Sequence, residues 1–318
     1  MFKIISTSPT FGKYSKEPVE LLRRNDCEII FLSRQQNPSF NNEFLSALKD
    51  ADGLILGFEK ITEEILSYAP KLKIIAKHGA GVDNIDISAA QKRGIVVANA
   101  PGANRHAVAD FVFGLMLSLS RKINESSLVV KNGNWINIIG NDIYGKTLGI
   151  IGTGKIGKEV IRRAKGFNMN IIAFDLYPDR TLEQLNLVKY VPFKEIIQSA
   201  DFITIHTDFN NKSASMIGKN EFDLMKNEAF LINTARGGIV DEDALYEALY
   251  FNKIKGAALD VFEVEPIGKN KLLELDNFIA TPHIAGYSEE ALVEVGFITA
   301  RNIMNVLTGL NSEYEVKV

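Results

Sequence analysis

The chain has a single cysteine, Cys27, so no intrachain disulfide can form and a disulfide-stapled secreted fold is excluded. Charge of one sign is not in excess either. Its 36 basic residues face 39 acidic ones, a formal net charge of −3 that gives neither a nucleic acid nor an anionic membrane a reason to bind. Long apolar runs are missing: the stretch FVFGLMLSLS from Phe111 falls well short of the ~18 to 20 residues that span a bilayer, and is expected to be a buried helix. The opening MFKIISTSPT lacks the apolar core of a signal peptide, which makes cytoplasmic residence the expectation. Only four histidines occur, no Cys/His spacing resembles a metal site, and no G-x-S-x-G elbow marks a nucleophilic hydrolase. What remains is 318 residues, 46% hydrophobic and 24% charged, enough for two packed domains that handle a small molecule.

Two successive arrays of apolar runs and amphipathic stretches fill that length. In the first hundred residues FKII, CEIIFL, GLIL, LKIIA and GIVVA are separated by EPVELLRRN, NNEFLSALKD, TEEILSYA and DISAAQKRG. Continuous rather than alternating apolar runs indicate strands buried on both faces, as in a parallel sheet. After the break at Pro101 and Gly102 comes a helical stretch from about Asn104 to Ile123, apolar nearly all round. Such a helix needs cover on most sides, so packing between domains or subunits is expected there. A second array then runs through KTLGIIG, NIIAFD, FITIH, AFLINTA, KGAALD and NFIATP, and a last helix from about Ser288 to Leu307 follows. The fold class is therefore α/β, with two doubly wound parallel-sheet domains.

The second array opens on GIIGTGKIG. Gly152, Gly154 and Gly157 form a G-x-G-x-x-G that follows an apolar run and begins a helix, and the next strand ends in Asp175. A lone glycine pattern is weak evidence, but each part of this context has a physical task. The first glycine permits the tight turn, the second admits a pyrophosphate to backbone N–H groups, and the third lets helix and strand approach. Asp175 is placed to bind the adenosine ribose and to repel the extra phosphate of NADP, so NAD is the favoured cofactor; Arg180, nearby in sequence, tempers that preference.

Ligands of open α/β sheets sit beyond the carboxyl ends of strands, and those ends carry distinctive side chains here. Arg236 follows AFLINTA, Glu265 precedes Pro266 after AALDV, and His283 follows NFIATP. Arginine's planar fork suits a carboxylate, and a histidine beside a carboxylate is held in one tautomer with its protonated form favoured. Each residue alone is better read as surface or packing; with a dinucleotide turn they fit hydride transfer to a 2-keto acid. Among the other histidines, His106 lies in a helix, His206 ends a strand without an obvious partner, and His78 stands in KHGAG of the first array.

HGAGVDNID, GKTLGIIGTGKIGKEV, NTARGGIVDEDAL, GAALDVFEVEP and TPHIAG, in this order, resemble the D-isomer-specific 2-hydroxyacid dehydrogenase family, and most closely its phosphoglycerate dehydrogenase-like branch. The resemblance implies a flavodoxin-like substrate domain, residues 1–100 and 287–318, with a Rossmann NAD-binding domain, residues 101–286, inserted into it and the reacting groups in the cleft. It further implies His283 as general acid/base, Glu265 as the group favouring its protonated form, and Arg236 as the substrate carboxylate's partner. His78, Gly79, Ala80 and Gly81 would bind substrate. Cofactor contacts would come from Lys155 and Ile156, Asp175, Thr207, Thr234 and Ala235, Asp260 and Gly286. The family is usually dimeric through the NAD domain. Substrates expected from the resemblance are a D-2-hydroxy acid or 2-keto acid, with 3-phosphoglycerate, glyoxylate, hydroxypyruvate and D-lactate all open. A rival of another class is an NAD-sensing co-repressor of the same fold. Two departures matter: Gly57 and Phe58 stand where phosphoglycerate-type relatives often carry an arginine, leaving Lys77 and His78 as alternative sources of positive charge, and Asp208 replaces a common proline. No segment resembles a serine-sensing regulatory domain, so feedback control by that route is not expected.

Overall fold

The computed structural model describes residues 1–33 and 39–317, so the expected span 1–100 includes a few residues outside it. The chain divides into two compact units: Met1–Asn104 with Tyr287–Val318, and Arg105–Gly286.

In unit one, strands β1 (Phe2–Ser6), β2 (Cys27–Phe31), β3 (Gly53–Leu56), β4 (Ile74–Lys77) and β5 (Val96–Ala98) alternate with helices α1 (Glu17–Arg24), α2 (Phe40–Leu48), α3 (Glu63–Ser67) and α4 (Ile87–Lys92). The sheet is parallel, in the order β2-β1-β3-β4-β5. β3 is buried at all four positions because both faces are covered. Leu54, Leu56 and Ile75 face one apolar cluster, whereas Ile55, Ile74 and Ala76 face another that includes Ile303 and Leu307 of the carboxyl-terminal helix. The local starts are written in the sequence: Thr62 and Asp86 cap α3 and α4 by accepting from Ile65 N–H and Ala89 N–H.

Unit two begins with α5 (Arg105–Ser120) and α6 (Ile123–Lys131). Strands β6 (Thr147–Ile151), β7 (Asn170–Phe174), β8 (Lys189–Tyr190), β9 (Phe202–Ile205), β10 (Phe230–Asn233), β11 (Gly256–Leu259) and β12 (Phe278–Ala280) follow. Between them run α7 (Lys155–Gly166), α8 (Arg180–Gln184), α9 (Phe193–Ser199), α10 (Lys219–Leu224) and α11 (Glu242–Tyr250), with a 3-10 turn at Lys271–Glu274. The order β12-β11-β10-β9-β6-β7-β8 reverses direction at β6 and β9, which makes their carboxyl ends the switch point where ligands bind in such sheets. Phe202 and Phe230 stack at 5.0 Å inside this unit, and a fully buried side chain of this kind contributes about 1.5–3 kcal/mol. The final helix, α12 (Glu289–Leu307), belongs to unit one and packs on α1 and β4.

One expectation needs correction. The helix foreseen from about Asn104 to Ile123 is α5, which ends at Ser120, and a second helix, α6, not foreseen, follows after Lys122 takes a left-handed φ of 51°. The apolar girdle of α5 is covered within its own unit. Val112, Phe113, Met116 and Leu119 share a cluster with Leu148, Val160 and Ile161, and Phe113 stacks on Phe167. The face left exposed is the narrow stripe of His106, Asp110 and Gly114, spaced by four.

Candidate active site

At the switch point of unit two, Gly152 has φ +95°, a conformation that a side chain resists, and a Cβ there would lie 2.5 Å from the His206 carbonyl oxygen. A Cβ at Gly157 would come within 2.2 Å of the Gly152 oxygen, so the close approach of helix and turn depends on glycine. Gly154 is different. A Cβ there meets nothing within 4 Å, and Gly154 stands at the N-cap of α7 with no side chain capping the helix. Open space against a helix N-terminus is what a pyrophosphate requires. Lys155 and Ile156 occupy the first turn of α7, and Thr207 follows β9 beside Gly152.

Asp175 lies just beyond β7. Its Oδ2 accepts from Thr153 N–H at 2.6 Å and from the Thr153 hydroxyl at 2.9 Å, while Oδ1 accepts from Tyr177 N–H at 2.8 Å. Arg180, which sequence alone set against the NAD preference, pairs with Glu183 at 2.8 Å and lies over the Tyr190 ring. Next to it Asp179 is held down to about 2 by its hydrogen bonds from Lys158 and Thr181. The turn, the open glycine and the carboxylate beyond β7 together fit a dinucleotide.

Beyond β12, five strands across the sheet from β7, His283 Nδ1 lies 2.8 Å from Glu265 Oε2, and the other oxygen of Glu265 accepts from Phe262 N–H at 3.0 Å. The pair is about half exposed, so its imidazole has one ring nitrogen committed to the carboxylate and the other available to a ligand. The Glu265–Pro266 peptide is cis, whereas sequence reasoning anticipated only an extended Glu265. His283 has φ +56°, uncommon for a residue with a side chain. Asp260 explains how the loop is held. Wholly buried at the end of β11, it accepts from the Thr281 hydroxyl at 2.6 Å, Ile284 N–H at 2.9 Å and Ala285 N–H at 2.8 Å, and its carbonyl accepts from His283 N–H. Its carboxylate thus braces the loop that ends at Gly286, a part the resemblance did not suggest.

Arg236 leaves β10 through a short turn in which the Asn233 side chain accepts from Ala235 N–H and donates to the Arg236 carbonyl, both at 2.9 Å. The guanidinium donates to the Ala235 carbonyl at 2.7 Å. Thr234 buries its hydroxyl beside them without a protein partner. Gly237 is required by crowding, since a Cβ would fall 1.9 Å from the Phe262 oxygen. Asn233, Thr153 and Tyr190 also shape the site; the first two lie inside the quoted motifs without a task assigned to them, and Tyr190 lies outside every motif.

The other histidines separate clearly. His206 is pushed down to about 3 by burial; its Nε2 lies 2.9 Å from the Thr204 hydroxyl and its Nδ1 has no partner. His106 sits at the surface, 3.3 Å from Glu159. In unit one His78 is lowered to about 4 by burial and by Lys77, and packs edge-on against Phe11. It is neutral near pH 7, so the expected positive charge at this position is supplied by Lys77 alone. The Lys77 ammonium donates to the Gly57 carbonyl and lies 5.6 Å from the Phe58 ring centre. Gly79 takes φ +157° and accepts from Ala100 N–H, and Ala80 accepts from the Asn99 amide at 2.6 Å.

A doubly wound sheet with a dinucleotide turn at its switch point and a histidine–carboxylate pair farther along the same carboxyl edge defines a nucleotide-dependent oxidoreductase class. Residues 113–285 match the family model described as "D-isomer specific 2-hydroxyacid dehydrogenase, NAD binding domain". The chain belongs to that family, and this unit is its NAD-binding domain. It is 45% identical over 280 residues to a D-3-phosphoglycerate dehydrogenase of Methanocaldococcus jannaschii, covering 87% of this chain and 53% of the relative. A glyoxylate reductase of Korarchaeum cryptofilum is 39% identical over 281 residues, covering 86% and 85% of the two chains. The structure of a D-lactate dehydrogenase with NAD+ from Lactobacillus jensenii superposes with a TM-score of 0.80 at 28% identity over the full length of both. The chain spans about half the length of the phosphoglycerate dehydrogenases it matches. Among the described residues no helix is long and apolar enough to cross a membrane, and no cluster of metal-ligating side chains occurs.

Proposed function

We propose that this chain is an NAD-dependent D-2-hydroxyacid dehydrogenase that interconverts a short 2-hydroxy acid and its 2-keto acid. The observation that carries the reading is the 2.8 Å His283–Glu265 pair on the same sheet as the dinucleotide turn. Bound NAD supplies the two-electron redox chemistry. Gly152 to Gly157 hold its pyrophosphate against α7, Asp175 binds the adenosine ribose, and Thr207, Thr234 and Ala235 line its path. Glu265 orients the imidazole through Nδ1, so that Nε2 faces the substrate; there it gives a proton to the keto oxygen in reduction and takes one from the hydroxyl in oxidation. Arg236 holds the substrate carboxylate by charge and fork geometry. In unit one the Gly79–Gly81 backbone is the proposed carboxylate-binding stretch. NADH oxidation with glyoxylate, hydroxypyruvate, pyruvate and 3-phosphohydroxypyruvate tests the reading. Turnover of at least one supports it; NADH binding without turnover of any would refute the enzyme and favour an NAD-sensing regulator.

Unit two offers a surface for a second copy of the chain. Helix α6 has no buried residue, yet carries exposed Ile123, Leu128 and Val130, and the segment after it presents Trp135, Ile136, Ile139 and Tyr144 to solvent. A nine-residue helix gains little stability from propensity alone, and so many large apolar side chains close in sequence gain from cover. We propose that a homodimer covers it. Sedimentation equilibrium should give twice the chain mass, and Trp135→Ser with Ile139→Ser should give one; a monomeric parent would remove this reading.

A further inference from the structure

We propose that Thr153 and Tyr190 are positioning residues that fix Asp175 for the ribose of NAD, and so set the preference for NAD over NADP. The proposal rests on the NAD reading above and adds two side chains that the glycine motif leaves unspecified.

The direction of every link in this network follows from its chemistry. A carboxylate only accepts, so the single proton of the Thr153 hydroxyl goes to Asp175 Oδ2, 2.9 Å away. The same hydroxyl lies 2.9 Å from the Tyr190 hydroxyl and, having spent its proton, must accept there. Tyr190 therefore donates, and its oxygen accepts in turn from Asp179 N–H at 3.1 Å. Asp179 is tied down by Lys158 at 2.6 Å. The result is a one-way relay from Asp179 N–H through Tyr190 and Thr153 to Asp175. It joins β8, the glycine turn and the end of β7, adding a side-chain path to the backbone bond from Gly152 N–H to the Phe174 carbonyl.

The consequence falls on the orientation of one carboxylate. Two donors from Thr153, its N–H and its hydroxyl, both hold Oδ2 toward the turn. Among the described residues Oδ1 accepts from Tyr177 N–H alone, which leaves acceptor capacity for a ribose hydroxyl. Thr153 is buried, with 3% of its surface exposed, so no water replaces the lost donor if its hydroxyl is removed. A carboxylate that swings away binds the NAD ribose less well and also repels the extra phosphate of NADP less strongly. The two effects together distinguish positioning from mere support of the fold.

The test measures Kd for NADH and NADPH by fluorescence titration of the full chain, with kcat and KM for the best keto acid. Thr153→Val should weaken NADH about tenfold, and Tyr190→Phe about threefold, because the phenol acts one bond further away. Thr153→Ser keeps the relay and should match the parent. NADPH affinity should hold or improve, so the preference for NADH falls in the same order, while KM for the keto acid stays unchanged. If Thr153→Val fails to fold, Tyr190→Phe and Thr153→Ser carry the test alone. Variants that bind NADH as the parent does, or lose both coenzymes equally, overturn the relay and leave the NAD reading standing. A parent that binds neither coenzyme overturns both.

Discussion

Acid should loosen each unit through one histidine. His78 in unit one is lowered to about 4 and His206 in unit two to about 3, both from an ordinary value of 6.5, and each has a ring nitrogen sealed from solvent without a partner. The unfolded chain therefore binds more protons than the folded one between pH 6.5 and 4. Stability is fully present above 6.5 and falls as pH drops through that window. From pH 7 to pH 5 an unfolded histidine goes from about one quarter to nearly fully protonated, while the buried ones gain about a tenth of a proton or less, which integrates to about 1.8 kcal/mol per histidine. Both residues keep a little surface, so this is the upper end. Asp179, held at about 2, stays charged throughout the window and does not confuse the measurement. Urea denaturation followed by circular dichroism at pH 7 and pH 5 provides the assay; Trp135, 87% exposed, is a poor reporter of either core. His206→Gln, which preserves a polar group for Thr204, and His78→Asn should each remove about 1.8 kcal/mol of the pH dependence. Parent-like pH dependence in both variants would refute the argument.

Two more site predictions have separate readouts. His283→Ala should cut kcat by about 10²–10⁴ with the NADH Kd nearly unchanged, measured by steady-state kinetics and titration; an unaltered kcat would remove its acid/base role. Gly157→Ala should destabilise unit two by about 1–3 kcal/mol, because its Cβ meets the Gly152 carbonyl oxygen at 2.2 Å and backbone has to move. A melting temperature equal to the parent's would show that the turn relaxes more freely than its geometry implies.

The sheets were legible because their strands are continuous apolar runs, and a strand buried on both faces has no polar alternation to obscure it. GLIL and FITI became β3 and β9, buried at every position. Short polar elements were harder. The two-residue β8 at Lys189–Tyr190 and helix α8 have too few apolar residues to show a period, yet β8 brings Tyr190 to Thr153. The glycine turn, Asp175 and the His283–Glu265 pairing were readable from type and order. The burial of His78 was not, since its environment is built by Phe11 and Thr299, distant in sequence. Nor was the cover on α5: the pattern demands apolar neighbours but cannot say that α7 supplies them.

The loop around His283 also bears on protein engineering. A histidine with positive φ is an unwelcome guest in most backbones, and here one sealed carboxylate, 23 positions earlier, fastens the loop on either side of it. Grafting the histidine and its glutamate alone onto another scaffold would therefore transplant the reagents without their mount. A working graft has to carry Asp260, Thr281 and the amides of Ile284 and Ala285 as one cassette.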